Sequence, residues 1–270
     1  MAQLMRTDGR VRDKDGPLTH PLAPFYFVLG AGGALAEPTA IRMGAGFILL
    51  LRAQRTLDDV QDEELQGRLR VAGDAVATHC GSTLLFLGID SLWQVAEELG
   101  PARGELLRCT VRENLVRAGR GQYRDLMGRG RDGTAARVLS NGAEKSAVFA
   151  LVFLLAGLCT LGETDTTIPH TFSDIGDAVA AIGQASNDLE DLFFGDGDDL
   201  RTGAWNVVVS AFVERCPVEE RPAQLQALRD ADTMEMRRML NMSGAVRDVA
   251  SWVLTAGRND HLSDLFGHAA

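Results

Sequence analysis

The sequence predicts an all-α protein, on three observations. Proline is scarce, 8 in 270 residues, while Ala, Leu and Arg, which tolerate helix well, are plentiful. No series of β-branched and aromatic runs with period two marks strands. The chain divides instead into long stretches closed by stop signals, of which Gly100-Pro101 is the plainest.

In order, residues 1–20 form a flexible N-terminal segment, and residues 21–270 form one domain. Pro21 and Pro24 open a helix through Leu35. A long helix runs from about Thr39 to Arg70, apolar at first and acidic after Leu57. The next covers about Val71 to Leu99, and another about Gly104 to Met127. Residues 128–141 (GRGRDGTAARVLSN) read as a loop, being rich in glycine and arginine. Glu144 to Leu161 reads as a buried core helix. Within it Ala147 to Leu161 is the longest apolar run, short of the roughly 18 residues of a membrane span. Gly162 to Ser173 is a second loop, Asp174 to Phe193 a helix, and Gly195 to Gly203 a third loop. From Trp205 to Phe266 come three or four shorter helices. With no repeat and no linker, this is a single helical bundle of about ten or more helices.

Net charge is −10 and pI about 5.0, so the basic footprint of a nucleic-acid binder is absent. Cysteines 80, 109, 159 and 216 show no CxxC spacing, which indicates neither zinc nor a disulfide framework and fits a reducing cytoplasm. The mixed-charge N-terminus lacks the pattern of a signal peptide.

Two acidic patches carry the chemistry. In Leu57-Asp58-Asp59-Val60-Gln61-Asp62, Asp58 and Asp62 stand four apart and share a helix face, with Asp59 beside them. Three carboxylates on one turn repel, a cost removed when they share divalent cations. Mg²⁺ suits them, because it takes oxygen ligands, keeps several waters and is completed by substrate phosphates. The second patch repeats the spacing: Asn187 and Asp191 are four apart around Asp188, and Gln184 lies a turn earlier.

This pair, with its surroundings, resembles the trans-polyprenyl synthetases of the class I isoprenoid synthase fold. Asp58-Asp59-Val60-Gln61-Asp62 is similar to their first aspartate-rich motif, and Asn187-Asp188-Leu189-Glu190-Asp191 to the second, with Asn for its first Asp. Gly73-Asp74 resembles the start of their "GD" helix, Gly121-Gln122-Tyr123-Arg124-Asp125-Leu126 their GQxxDL pattern, and Lys145-Ser146-Ala147 their Lys-Thr before an apolar helix. Asp199-Leu200-Arg201-Thr202-Gly203 resembles their DLxxG stretch. The likeness spans about residues 24 to 205.

The resemblance implies a helical bundle around a central cavity and Mg²⁺-dependent ionisation of an allylic isoprenyl diphosphate. Two or three Mg²⁺ ions would sit on Asp58, Asp59, Asp62, Asn187, Asp188 and Asp191, with Asp125 supporting the metal site. Lys145, Arg68, Gln122 and Arg201 would meet the diphosphate; only two of the 27 basic residues are lysine, Lys14 and Lys145. Ala53, Gln54, Phe86, Phe149 and Gln184 would line the cavity, together with Trp93 and Phe153. A cytoplasmic homodimer is also implied, with no stable membrane span.

The chain departs from the family where isopentenyl diphosphate is held. Ala23 stands where Arg is expected, Gln66-Gly67-Arg68 keeps one Arg of a pair, and Ala204 replaces a Lys. A second diphosphate beside an acidic site needs such cations. The expectation is therefore a polyprenyl-synthetase-like terpene synthase (cyclase). The alternatives are transfer of the prenyl group to a neutral acceptor and elongation, if Arg42, Arg55 or Arg70 substitute. A non-catalytic partner subunit is a further reading. Gly195 stands at the Glu of the Asn/Ser/Glu metal triad of ordinary terpene cyclases, so that triad is absent.

Overall fold

The 25 residues Glu37–Gln61 form helix α1, opened by Pro38 in its first turn, where a missing N–H costs nothing. The structure, a computed structural model, describes residues 33–63, 65, 67–128, 133–163, 165–194 and 206–256. The segment 1–20, the Pro21 to Pro24 helix start, Gln66, Arg201 and the Asp199 to Gly203 string lie outside them. Ten helices follow α1: α2 (Gly67–Ala72), α3 (Asp74–Glu98), α4 (Gly100–Gly128), α5 (Ala135–Lys145), α6 (Ala147–Leu158), α7 (His170–Phe194), α8 (Val207–Arg215), α9 (Arg221–Asp230), α10 (Thr233–Ser243) and α11 (Ala245–Ala256). No strand occurs among the described residues. The expected all-α architecture is the one found.

These helices fall into two compact units, divided at 114/115, 147/148 and 176/177. In the first, α1 and α3 run antiparallel along a seam of glycines. A Cβ on Gly46 would lie 2.9 Å from Leu92 Cγ, one on Gly88 2.7 Å from Leu50 Cδ2, and one on Gly81 2.8 Å from Leu57 Cγ. Each glycine admits a leucine from the facing helix, and Leu50 and Leu92 are fully buried. Truncating either to Ala would cost about 2–5 kcal/mol. α6 supplies Leu151, Leu155 and Leu158 to the same unit's buried residues.

The second unit has its own core, built from Val138 and Leu139 of α5, Ala185 and Leu192 of α7, Val208 and Phe212 of α8, Leu228, Leu240 and Val249. Three of its helix starts are capped by side chains. Thr134 accepts from Arg137 N–H, Asn206 from Val208 and Val209 N–H, and Asp232 from Glu235 N–H. Such caps are worth about 1 kcal/mol each.

Three boundaries differ most from expectation. The helix expected to reach Arg70 stops at Gln61, where Glu63 turns the chain in the left-handed region, φ 61°. The core helix expected from Glu144 breaks at Ser146, dividing α5 from α6. The loop expected over 128–141 gives way to α5 at Ala135, because Thr134 supplies a cap that its Gly- and Arg-rich surroundings conceal.

Candidate functional site

The first acidic patch occupies the end of α1. Asp62 N–H donates to Asp58 C=O at 2.9 Å, so the helical register persists through Asp62 and holds Asp58 and Asp62 on one face. Asp59 carries the electrostatic mark of this crowding. Burial pushes its carboxyl above the ordinary aspartate range; the Arg55 guanidinium opposes the shift, and Asp58 and Asp62 add to it. A divalent cation would reverse both unfavourable contributions, and an all-oxygen donor set fits Mg²⁺. By this test the residues present suit the metal. Among the described residues, no three His, Cys, Asp or Glu side chains already gather into a metal cluster.

Neighbouring calls divide. Ala53 is fully buried, next to the seam with Gly81, and Gln54 is half-buried. Arg68 is exposed on the short α2. Phe149, Phe153 and Trp93 are half-buried. Phe86 corrects its expectation as a cavity residue, being 69% exposed. The reason is helical geometry: two residues from Gly88, which faces α1, is about 200° around the helix.

In the second unit, α4 and α5 press together at Gly121, where any Cβ would overlap the backbone of Glu144 and Lys145. This contact brings the GQxxDL string of α4 against the end of α5. Lys145 Nζ bonds Asp125 Oδ2 at 3.2 Å, with both side chains about six-sevenths buried (15% and 13% exposed). Beside them Arg120 donates twice to Glu144, at 3.0 and 2.9 Å, and Arg124 once, at 2.8 Å. Glu144 is not marked as a site residue from the sequence; its signal is the i, i+4 pair Arg120 and Arg124 on α4 together with its place directly before Lys145. Gln122 is half-buried on the same helix.

The second acidic patch lies on α7. Asn187 and Glu190 are exposed, Asp191 is half-buried, and Asp188 is 1% exposed. Asp188 accepts hydrogen bonds on both oxygens, from Gln184 Nε2 at 2.8 Å and from Val207 N–H at 2.6 Å. Gln184, half-buried, is engaged in this contact. Asp177, a few turns earlier, pairs with Arg117 at 2.6 Å.

The cysteines offer no competing chemistry. All four are free of disulfides, and burial pushes the Cys159 thiol up to about 12, so it stays protonated and unreactive.

Neither a protein-family profile nor a characterised protein sequence matches the chain. Solved structures do. A geranylgeranyl pyrophosphate synthetase from Pyrococcus horikoshii superimposes with a TM-score of 0.76 at 18% identity, covering 94% of this chain and 80% of that one. A geranylgeranyl pyrophosphate synthase gives 0.66 at 14% identity, over 90% and 85%. The octaprenyl pyrophosphate synthase from Helicobacter pylori gives 0.66 at 13% identity, over 96% and 86%. The chain shares their fold, the one its motifs resemble.

Proposed function

We propose that a chain with this fold and these two acidic helix turns is a Mg²⁺-dependent enzyme that ionises an allylic isoprenyl diphosphate, acting as a polyprenyl-synthetase-like terpene synthase. The observation that carries the reading is the crowded turn of Asp58, Asp59 and Asp62, in which burial and neighbouring charge push Asp59 up. By the pattern of the motifs, these three would hold metal from α1, and Asn187 and Asp191 from α7, with Asp125 in support. The string that holds Asn187 and Asp191 also contains Asp188, whose role is taken up below. When bound, Mg²⁺ neutralises charge developing on the diphosphate oxygens.

Lys145 would meet the diphosphate. Its ammonium has three donors and can keep Asp125 while contacting phosphate oxygens. Arg68, Gln122 and Arg201 are its proposed companions. Phe149 and the half-buried aromatic residues around it would exclude water from the allylic cation.

We prefer cyclisation to elongation because Ala23 and Ala204 stand where the resembled family carries cations. Arg42, one of the arginines that could replace the missing cations, is bound to Glu98 at 2.5 Å and to Thr39. We further propose a cytoplasmic homodimer. By length and composition α3 is apolar enough to cross a membrane, and most of its residues are exposed or half-buried. Val76, Phe86 and Leu87 stand exposed on it. A second copy of the chain would cover this surface. Phe86→Asp should then halve the mass seen by light scattering.

The deciding experiment incubates the protein with Mg²⁺ and geranyl, farnesyl or geranylgeranyl diphosphate, with and without isopentenyl diphosphate, and analyses extracts by mass spectrometry. A hydrocarbon or terpene alcohol formed without isopentenyl diphosphate supports the cyclase. A longer diphosphate formed only in its presence establishes elongation instead. No product under any condition refutes diphosphate ionisation by this chain alone.

A further inference from the structure

The second acidic string contains a residue whose surroundings set it apart. Asp188 is the buried polar residue of its turn, while Asn187 and Glu190 on either side are exposed. One of its oxygens accepts from the backbone N–H of Val207 at 2.6 Å and the other from Gln184 Nε2 at 2.8 Å. Its backbone carbonyl accepts from Asn206 Nδ2 at 3.3 Å. Asn206 Oδ1 in turn accepts from Val208 and Val209 N–H at 2.9 and 3.3 Å, capping α8.

Gln184 is fixed from its other side. α5 lies against it at Gly142, where any side chain would overlap Gln184 Cγ. A continuous chain of contacts thus runs from α5 through Gln184 and Asp188 of α7 to the first turn of α8. Mg²⁺ requires near-octahedral geometry at about 2.0–2.1 Å and keeps several waters. A carboxylate with both oxygens engaged and almost no exposed surface offers it no approach, whereas Asn187 is exposed and Asp191 half-buried.

We infer that Asp188 is a positioning residue and not a metal ligand. Its carboxylate ties α8 and α5 to α7. It thereby sets the register in which Asn187 and Asp191 are presented on α7 and Lys145 at the end of α5. The inference rests on the metal-dependent reading given above for the functional part of its test, while its structural part stands alone.

The test compares Asp188→Asn, Asp188→Ala and Asp191→Asn by amide exchange at Val207 and by the Mg²⁺ dependence of turnover. In Asp188→Asn the new amide can accept from Val207 N–H and donate to the flipped amide of Gln184. Val207 should stay protected, turnover should fall less than about tenfold, and apparent Mg²⁺ affinity should stay within about twofold. Asp188→Ala should lose Val207 protection by about 100-fold. Asp191→Asn should keep that protection and weaken Mg²⁺ by about tenfold or more.

Asp188→Asn with Val207 protected and Mg²⁺ weakened about as much as in Asp191→Asn would make Asp188 a ligand and overturn the inference. Unchanged Val207 protection in Asp188→Ala would overturn it equally. A wild-type chain that turns over no isoprenyl diphosphate defeats the proposed function alone, since exchange at Val207 still decides the role of Asp188.

Discussion

The acidic turn that ends α1 and the acidic turn of α7 carry nearly the same string, Asp58-Asp59-Val60-Gln61-Asp62 against Asn187-Asp188-Leu189-Glu190-Asp191. Their surroundings are opposite. On α1 the carboxylates crowd one another, and Asp59 is pushed up by burial and by its neighbours. On α7 the central carboxylate is sunk into its unit's interior and receives a backbone N–H and a side-chain amide. One turn stores electrostatic cost; the other spends its charge on holding helices together. A shared spacing therefore does not imply a shared role, because spacing sets which face a residue occupies and the partner element sets what that face meets.

Substitutions separate the two turns most sharply by activity. Asp58→Ala should cut turnover about 10²–10³-fold with the melting temperature nearly unchanged, since under the proposed function it removes a charge that would face the metal. A comparable drop in melting temperature would make the α1 turn a structural hub as well and erase the contrast. Asp188→Ala should instead unfold easily. Leaving Val207 N–H and Gln184 without their acceptor costs about 1–3 kcal/mol each, together roughly 4–20 °C in a chain of this size, as scanning calorimetry would record.

Asp59→Asn probes the stored cost. A carboxyl raised above its unfolded value favours the folded state at low pH, and this stability is lost as pH rises from the ordinary aspartate range through the raised value. At neutral pH without metal the variant should therefore melt above the wild type, and the gain should vanish near pH 3. Added Mg²⁺ should stabilise the wild type and not the variant. Equal stabilisation of both would remove Asp59 from the metal site. Glu63→Gly gives the smallest effect. It relieves a left-handed residue just after the turn, and chemical denaturation should show a gain of about 0.5–1 kcal/mol. A loss would mean that the Glu63 side chain supports the turn.

The helical class, the order of the motifs and the face shared by Asp58 and Asp62 could be read from the sequence, because they depend on local spacing. What could not be read depends on contacts between distant elements. Phe86 looked like a cavity wall by composition, and only the glycine seam shows it turned outward from α1. Asp188 reads as a ligand by spacing, and only its bond from Val207 N–H, 19 positions on, motivates the positioning role inferred above. The stop at Gln61 had no local warning either, since glutamate rarely adopts φ 61° and the periodic pattern continues past it. Gln184 and Lys145 fall between these cases: their polarity marked them, but Gly142 and Gly121 determine what they touch.

That early stop has a further consequence. By ending α1 at Gln61, it places Asp58, Asp59 and Asp62 at the helix C-terminus, with no basic residue in the last turn. There the aligned peptide dipoles amount to about half a negative charge, which disfavours acids by roughly 0.3–1 kcal/mol. Asp188 stands against the first N–H of α8, where the dipole favours it. The molecule thus seats one acid where helix polarity welcomes it and three where helix polarity rejects them, so the end of α1 is an electrostatic sink that the cation of the proposed function would fill. Its resistance to proteolysis should then rise and fall with free Mg²⁺, coupling the lifetime of the chain to the ion on which its proposed chemistry depends.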